Sequence, residues 1–273
     1  MAEAHAGVQK HYGSAGIAAR VLKVLSDGGV DTAHLKAPML YPFDQFHGRG
    51  LEATRDHTAK LNLSPSSRVL DVGCGIGGPA RYMATAYGCR VSGIDLTKEF
   101  VEAAKDLTAR CSLADKAEFR VGNALALPFD DRSFDAATCF NVTMNIENKA
   151  KVLSEIARVL KPGGRLAYTE QGLGPKEDPI FPLPWARTPE VSFLVAPDVL
   201  RRWVEAAGLR VLEWQDDTNA LMGPPSAGGA TEEMRVRGNR VVIGDDFGDR
   251  LRNVVRNQKE GRLVSTFVLA ERA

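Results

Sequence analysis

From Arg68 onward, apolar and polar positions alternate between two periods. Short apolar runs that end in Gly, Asp or Asn are followed by stretches with helical spacing. Val69–Val72 reads as a buried strand, Pro79–Tyr87 as a helix and Arg90–Asp95 as the next strand. The helix that follows places Phe100, Ala104, Leu107 and Cys111 on one face. Ala117–Val121 and Phe134–Phe140 read as the third and fourth strands. A helix with the stripe Val152, Ile156 and Val159 then stops at Lys161-Pro162-Gly163-Gly164, a proline–glycine terminator. Arg165–Thr169 is the expected fifth strand, Val199–Ala207 a helix, Leu209–Trp214 the sixth strand and Ser265–Ala270 the seventh. Strands alternating with helices predict parallel β-α-β units in a doubly wound, Rossmann-like α/β sheet.

Three segments fall outside the alternation. Residues 1–67 have a mostly helical pattern, broken by the aromatic, polar stretch Tyr41-Pro42-Phe43-Asp44-Gln45-Phe46-His47-Gly48-Arg49-Gly50. Residues 172–197 are rich in proline and read as a stiff, irregular loop. Residues 218–262 open with the linker-like Gly223-Pro224-Pro225-Ser226-Ala227-Gly228-Gly229 and continue into an amphipathic helix, Asp245–Gln258. The organisation expected is an N-terminal helical cap (1–67) on a core (68–273) with insertions at 172–197 and 218–262. In open α/β sheets ligands bind beyond the carboxyl ends of the strands, so all three segments are placed on that edge as makers of a pocket.

Composition narrows the chemistry. The net charge of +1 lacks the basic excess of a domain that grips nucleic acid. Cys74, Cys89, Cys111 and Cys139 lie far apart with no C-x-x-C pair, which argues against a disulfide framework or structural zinc and for a reducing, cytoplasmic setting. The sequence begins without a signal-peptide pattern, and no apolar run approaches the roughly 20 residues of a membrane span. All 5 histidines (His5, His11, His34, His47, His57) precede the first strand, and no two share the spacing of a zincin-type helix, so no metal site is expected. Any imidazole base must therefore come from the N-terminal segment.

The richest signal is Asp71-Val72-Gly73-Cys74-Gly75-Ile76-Gly77-Gly78, a strand running into a glycine-dense turn that opens a helix. It satisfies G-x-G-x-x-G through Gly73, Gly75 and Gly78, and Asp95 at the end of the next strand suits a ribose diol. These features denote a cofactor that contains a nucleoside. A dinucleotide would bring its pyrophosphate to the helix N-terminus, where Asp71 would repel it. S-adenosylmethionine brings a sulfonium and an ammonium instead, and tolerates that carboxylate. The other reading of Asp71 is a hydrogen bond that shapes the turn.

Val69 to Gly77 resembles the first motif of class I S-adenosylmethionine-dependent methyltransferases, and Gly93-Ile94-Asp95 their second, acidic motif. Leu127 to Asp135 is similar to their loop before strand four, and Leu160 to Leu166 to the turn entering strand five. Asp44-Gln45-Phe46-His47-Gly48 looks like the branch that holds sarcosine/dimethylglycine N-methyltransferases, tocopherol O-methyltransferases and sterol C-methyltransferases. The resemblance implies seven strands, the last antiparallel between strands five and six. It implies Gly73, Cys74, Gly75 and Gly77 at the methionine part of the cofactor, Asp95 on the ribose and Leu96 on the adenine. Relatives carry an aspartate where this chain has Asn123, so the Asn123 amide or the backbone of Ala124 and Leu125 is expected at the adenine edge. Asn141 would flank the sulfonium. Tyr12 resembles a tyrosine that closes over the cofactor, and Gln45 is a second candidate for that closure.

The activity implied is methyl transfer to a small molecule with an O, N or C nucleophile, leaving S-adenosylhomocysteine. His47 is the candidate base for a hydroxyl acceptor, or else a histidine that holds the cap together. Tyr41, Phe43, His47, Asn145, Glu170, Trp185 and Phe193 are the candidate acceptor contacts, with Gln171 beside Glu170. The arginines between Arg235 and Arg262 read as a solvated helix face. An NAD(P)-dependent oxidoreductase shares the glycine loop, and a silent cofactor-binding partner protein shares all the motifs. Monomer and homodimer both remain open.

Overall fold

The computed structural model describes residues 16–176, 178–219 and 232–273, with the backbone alone at 232–237. Three helices, α1 (Ile17–Asp27), α2 (Ala37–Asp44) and α3 (Leu51–Thr58), precede the sheet. Then follow β1 (Arg68–Val72), α4 (Gly78–Tyr87), β2 (Arg90–Asp95), α5 (Lys98–Arg110), β3 (Ala117–Val121), β4 (Phe134–Phe140) and α6 (Lys149–Val159). The remainder is β5 (Leu160–Leu173), α7 (Pro197–Ala206), β6 (Leu209–Asp216), α8 (Glu232–Ile243), α9 (Phe247–Lys259) and β7 (Leu263–Arg272).

The strand order is β3-β2-β1-β4-β5-β7-β6. All neighbours are parallel except β7, which runs antiparallel to both β5 and β6. Four of the five residues of β1 are buried, as a central strand covered on both faces requires. Side chains alternate between two layers: Leu70 and Val72 join Ile156 and Leu200 on one face, while Val69 joins Ala80, Met83 and Val101 on the other.

Three elements depart from the pattern read in the sequence. The fifth strand is longer than Arg165–Thr169, because Leu160 already pairs with Phe134 across a register shift and the strand passes through Pro162-Gly163-Gly164. Helix α2 extends through Tyr41 and Pro42 to Asp44, where the sequence reads as an interruption; its Leu40 and Phe43 pack with Ile17, Val21 and Phe100. Helix α8 was not expected, although its Val242 packs with Ile17, Val21 and Leu40, whereas α9 covers most of the predicted amphipathic helix.

The cap meets the core along an unusually close seam. A Cβ on Gly78 would lie 2.0 Å from the backbone oxygen of Asp44, so only glycine lets α2 end there. Beside it, Arg81 Nη2 donates to Asp44 Oδ2 at 2.9 Å and Arg81 Nη1 to Thr108 Oγ1 at 2.8 Å, with both charged side chains fully buried. This ion pair bolts the cap to the helix that follows the glycine turn.

Candidate active site

One large cleft opens beyond the carboxyl ends of β1, β2 and β4, at the point where the strand order reverses. Gly73 follows β1, Asp95 ends β2 and Asn141 follows β4, and all three line it. The turn after β1 supplies Asp71, Gly73, Cys74 and Gly75 to its wall. Phe46 of the cap lies over Gly75, where an added Cβ would be 3.2 Å from its ring. The two carboxylates there are held differently. Asp95 Oδ2 accepts from the Gly75 N–H at 3.0 Å and Oδ1 from the Thr97 N–H at 2.9 Å. Burial raises the Asp95 carboxyl above its usual range, against the backbone donors of Thr97, Gly75 and Leu96 and the Thr97 hydroxyl. Asp71 accepts from Thr138 Oγ1 at 2.7 Å through Oδ1, whereas its buried Oδ2 has no partner within the protein. Burial first, and the nearby Asp95 charge, push Asp71 up to about 7 against the Thr138 bond.

The far wall of the cleft is apolar. Met144, Ile146 and Trp185 face Ile243, Phe247, Leu251 and Val254, with Asn239 among them. Phe247, Leu251 and Val254 stand on one face of α9, and Met144, Trp185 and Val254 share a buried cluster with Leu183. Asn145 ties this wall together, its Nδ2 donating to Trp185 O and Val191 O at 2.8 Å each. Among the described residues, no group of three His, Cys, Asp or Glu is placed to hold a metal ion.

Residues 70–168 match the family model described as a methyltransferase domain. That stretch is similar to methyltransferase domains. Relatives of this domain include an O-methyltransferase, resE, of Aspergillus sclerotiorum, 36% identical over 60% of this chain and 62% of that protein. The chloroplastic tocopherol O-methyltransferase of Arabidopsis thaliana is 44% identical over 36% of this chain and 28% of its own length. The chain thus spans less than two thirds of these relatives' length. A solved structure of geranyl diphosphate C-methyltransferase from Streptomyces coelicolor A3(2), holding Mg2+, geranyl-S-thiolodiphosphate and S-adenosyl-L-homocysteine, matches with a TM-score of 0.70 and 18% identity. It covers 99% of this chain and 98% of that one, and shows that the fold is shared.

The structure sorts the residues expected from the sequence. Asp71, Gly73, Cys74, Gly75, Asp95, Leu96, Asn123, Ala124, Leu125 and Asn141 converge on the cleft, as do His47, Asn145 and Trp185. Cys74 is buried and its thiol is pushed well up by burial, which removes it as a nucleophile. Asn141 adopts a left-handed backbone (φ 53°) and is held by Thr169, whose hydroxyl donates to Asn141 Oδ1 at 2.9 Å.

Other expectations are corrected. Gly77 faces away from the cleft: a Cβ there would strike Arg81 Nη1 and the Phe119 ring, so it closes the start of α4 instead. Gln45 is buried between Asp44, to which its amide donates at 2.8 Å, and Thr54, whose hydroxyl it accepts at 2.6 Å. Tyr41 turns outward against Tyr82, with ring centroids 6.1 Å apart, and Phe43 is core. Glu170 is buried, accepts from Lys149, Thr143 and Tyr168, and is absent from the cleft wall. Phe193 is absent from the cleft wall and contributes its backbone N–H to Met144 O at 2.7 Å. Asn123 turns its side-chain oxygen back on the Leu125 N–H at 2.9 Å, which leaves the Ala124 N–H as the backbone donor of that loop. Arg250 is buried and paired with Asp246, so that helix face is not wholly solvated. Tyr12 lies outside the described residues.

His47 reaches the cleft, but it is tied to the cap through Nε2, which donates to Thr54 Oγ1 because the Thr54 proton goes to Gln45. Nε2 is 3.0 Å from Thr54 Oγ1 and Nδ1 is 3.3 Å from Gly48 O. Through Thr54 and Gln45 it joins the chain that ends at the Asp44–Arg81 pair. Replacing His47 with Ala is therefore expected to lower the melting temperature, by the loss of about 1–3 kcal/mol of hydrogen bonding, and to weaken ligand binding. The pH profile of turnover should keep its shape; a lost limb would return His47 to the role of base.

Sequence reasoning missed Phe46, Asn239, Phe247, Leu251 and Val254 on the wall. The spacing of Phe247, Leu251 and Val254 on an amphipathic helix was the available signal.

Proposed function

We propose that this chain transfers a methyl group from S-adenosylmethionine to an apolar small molecule. The carrying observation is a single cleft with two different ends. At one, two carboxylates meet the bare backbone of a glycine turn; at the other, Met144, Trp185, Phe247, Leu251 and Val254 form an apolar wall. The residues fit this cofactor. Asp95 ends β2 on the cleft wall where a ribose would lie, Leu96 flanks the place of the adenine, and the unpartnered oxygen of Asp71 suits a cationic group. A pyrophosphate would meet both carboxylates instead, which argues against NAD(P). Relatives include O-, N- and C-methyltransferases, so the resemblance supports methyl transfer without choosing the acceptor atom.

The cofactor supplies an activated methyl group, and the protein's part is alignment and exclusion of water. Asp95 and the glycine turn set the cofactor end. Trp185, held through Asn145, and the α9 face close over the acceptor end. Of the described residues, those before the first strand (16–67) serve as the cap, and those within 172–197 and 232–262 supply walls of the acceptor pocket. The four cysteines, three of them buried and all free, support a cytoplasmic setting. Among the described residues, no helix is long and apolar enough to cross a membrane.

Equilibrium dialysis with S-adenosylhomocysteine and with NADH tests the cofactor; retention of NADH alone would overturn the reading. Methyl-labelled S-adenosylmethionine, incubated with apolar metabolite pools, then reports the acceptor, and no labelled product from any pool would leave a binding protein only. Asp71 adds a pH test. A cation beside it favours the ionised carboxylate, so binding must release its proton below about 7. Affinity for S-adenosylmethionine should then fall by up to about tenfold per pH unit below that value and level off above it. Calorimetry in two buffers of different ionisation enthalpy should show proton release near pH 6 and almost none near pH 8. Asp71→Asn should flatten the profile; a slope surviving in that variant would assign it elsewhere.

A further inference from the structure

The first residue of α6 is a lysine in an adverse place. Lys149 is buried, and a helix N-terminus repels a cation. Burying its charge costs free energy unless a partner answers it. That partner is Glu170, near the end of β5, with Lys149 Nζ 3.0 Å from Glu170 Oε1 and the two side chains only 0% and 1% exposed. A buried pair of this kind is weak ground for stability, because well-packed apolar residues in its place are often neutral or better. Neither residue lines the main cleft. Their remaining hydrogen bonds show where the pair acts.

Those bonds converge on one three-residue turn, Thr143–Asn145, between β4 and α6. Lys149 Nζ donates also to the Thr143 carbonyl, and Glu170 Oε2 accepts from the Thr143 and Tyr168 hydroxyls. Thr143 is fully buried, so its main chain and side chain are both gripped within the core. The next two residues carry that grip to the acceptor wall. Met144 O accepts from the Phe193 N–H at 2.7 Å, and Asn145 Nδ2 donates to Trp185 O and Val191 O at 2.8 Å each. The Trp185 indole is fixed in turn, its Nε1 donating to Ser192 Oγ at 3.0 Å. Asn253 and Asn257 also hold the loop that carries Trp185, through Pro182 O at 3.0 Å and Ile180 O at 2.9 Å, but they stand on α9. Those two bonds join wall to wall, whereas the Thr143 turn joins the wall to the sheet.

We propose that Lys149 and Glu170 are positioning residues for methyl transfer: by clamping Thr143 they set, through Asn145, where Trp185 stands against the acceptor. This rests on the methyl-transfer reading. In-line displacement needs the nucleophile, the methyl carbon and the sulfur aligned, and a misplacement of about 1 Å costs about 10²-fold in rate. An apolar filling of the same volume would leave the turn free to shift. Charge-assisted bonds are short and directional, and a network with every member satisfied admits one arrangement. The pair acts on the acceptor end alone, since Asp95 and the glycine turn set the cofactor end from β1 and β2.

The test uses the full chain labelled with 5-fluorotryptophan, whose 3 tryptophans give separate fluorine resonances, that of Trp185 assigned by its loss in Trp185→Phe. Lys149→Met combined with Glu170→Gln removes both charges together, so neither is stranded. In that variant the Trp185 resonance should shift or broaden while those of Trp203, on α7, and Trp214, on β6, hold their places. Asn145→Ala should move the Trp185 resonance likewise, and combining it with the pair change should add nothing, because both break one chain of contacts. With the acceptor found by labelled S-adenosylmethionine, kcat/KM should fall about 10- to 100-fold, with the KM for acceptor raised. Affinity for S-adenosylhomocysteine, read by calorimetry, should not change. A merely structural role would lower the active fraction and leave both KM values as they were. An unmoved Trp185 resonance in the pair variant, effects that add to those of Asn145→Ala, or an unchanged acceptor KM would overturn the proposal. Should the pair variant fail to fold, Thr143→Val, which keeps the shape and breaks the bond to Glu170, decides by the same resonance. Failure of the unmodified chain to bind S-adenosylhomocysteine would instead sink the methyl-transfer reading, and the Trp185 resonance, recorded without ligand, would still judge the clamp.

Discussion

Arg81→Met is expected to cost about 3–5 kcal/mol of folding stability, because it strands the Asp44 carboxylate in a fully buried seam. Methionine matches much of the arginine's apolar volume, so the loss reports the charge rather than a cavity. It also removes the bond to Thr108 Oγ1. The sign of the pH dependence follows from Asp44. Burial already raises its carboxyl above the usual range, with Arg81 opposing the shift. Without Arg81 the folded state holds the Asp44 proton more firmly than the unfolded chain does. The variant's deficit should therefore grow as pH rises above the ordinary carboxylate range, and shrink on acidification. Urea denaturation across that range measures it. Adding Asp44→Leu should recover most of the stability, since an apolar pair replaces a buried ion pair at little net cost. A deficit independent of pH, unrelieved by the second substitution, would mean that the pair does not hold the cap.

Asp95→Ala is expected to weaken the S-adenosylhomocysteine complex by about 30- to 300-fold while the chain stays folded. Two hydrogen bonds to a charged acceptor are lost, each worth roughly 1.5–3 kcal/mol before water fills the gap. The same carboxylate also holds the Gly75 and Thr97 N–H groups, so the glycine turn loses an anchor as its ligand loses a partner. Asp95→Asn keeps one acceptor oxygen and should fall between wild type and Ala. Titration calorimetry reads both. A change under about threefold in Asp95→Ala would remove Asp95 from the ribose.

The sheet was legible in the sequence because buried parallel strands and amphipathic helices differ in period, and Arg90–Asp95, Ala117–Val121 and Phe134–Phe140 match the observed strands end to end. The glycine turn and Asp95 were legible because backbone exposure and a carboxylate at a strand end are local requirements. What failed was non-local. Pro42 and the mixed polarity of Tyr41–Gln45 read as a break, yet Gly78 and Arg81, far along the chain, stabilise α2 through Asp44. Glu170 read as a pocket residue because its partner Lys149 lies on α6 and gives no sign of burial. His57 read as unremarkable because Asp217 meets it only in the folded sheet.

The place of β7 bears on the order in which a growing chain can assemble. The edge strand β6 pairs with β7 alone among the described strands, and β7 in turn pairs with β5 from Arg165↔Glu271 to Leu173↔Leu263. During synthesis, β1 to β5 can associate as they emerge, each against a neighbour already made. Strand β6 has no partner until Leu263–Arg272 leaves the ribosome and slots between it and β5. Asp217, directly after β6, therefore meets His57 only at that last insertion, and a nascent chain stalled before it would hold a cofactor turn without that contact between sheet and cap.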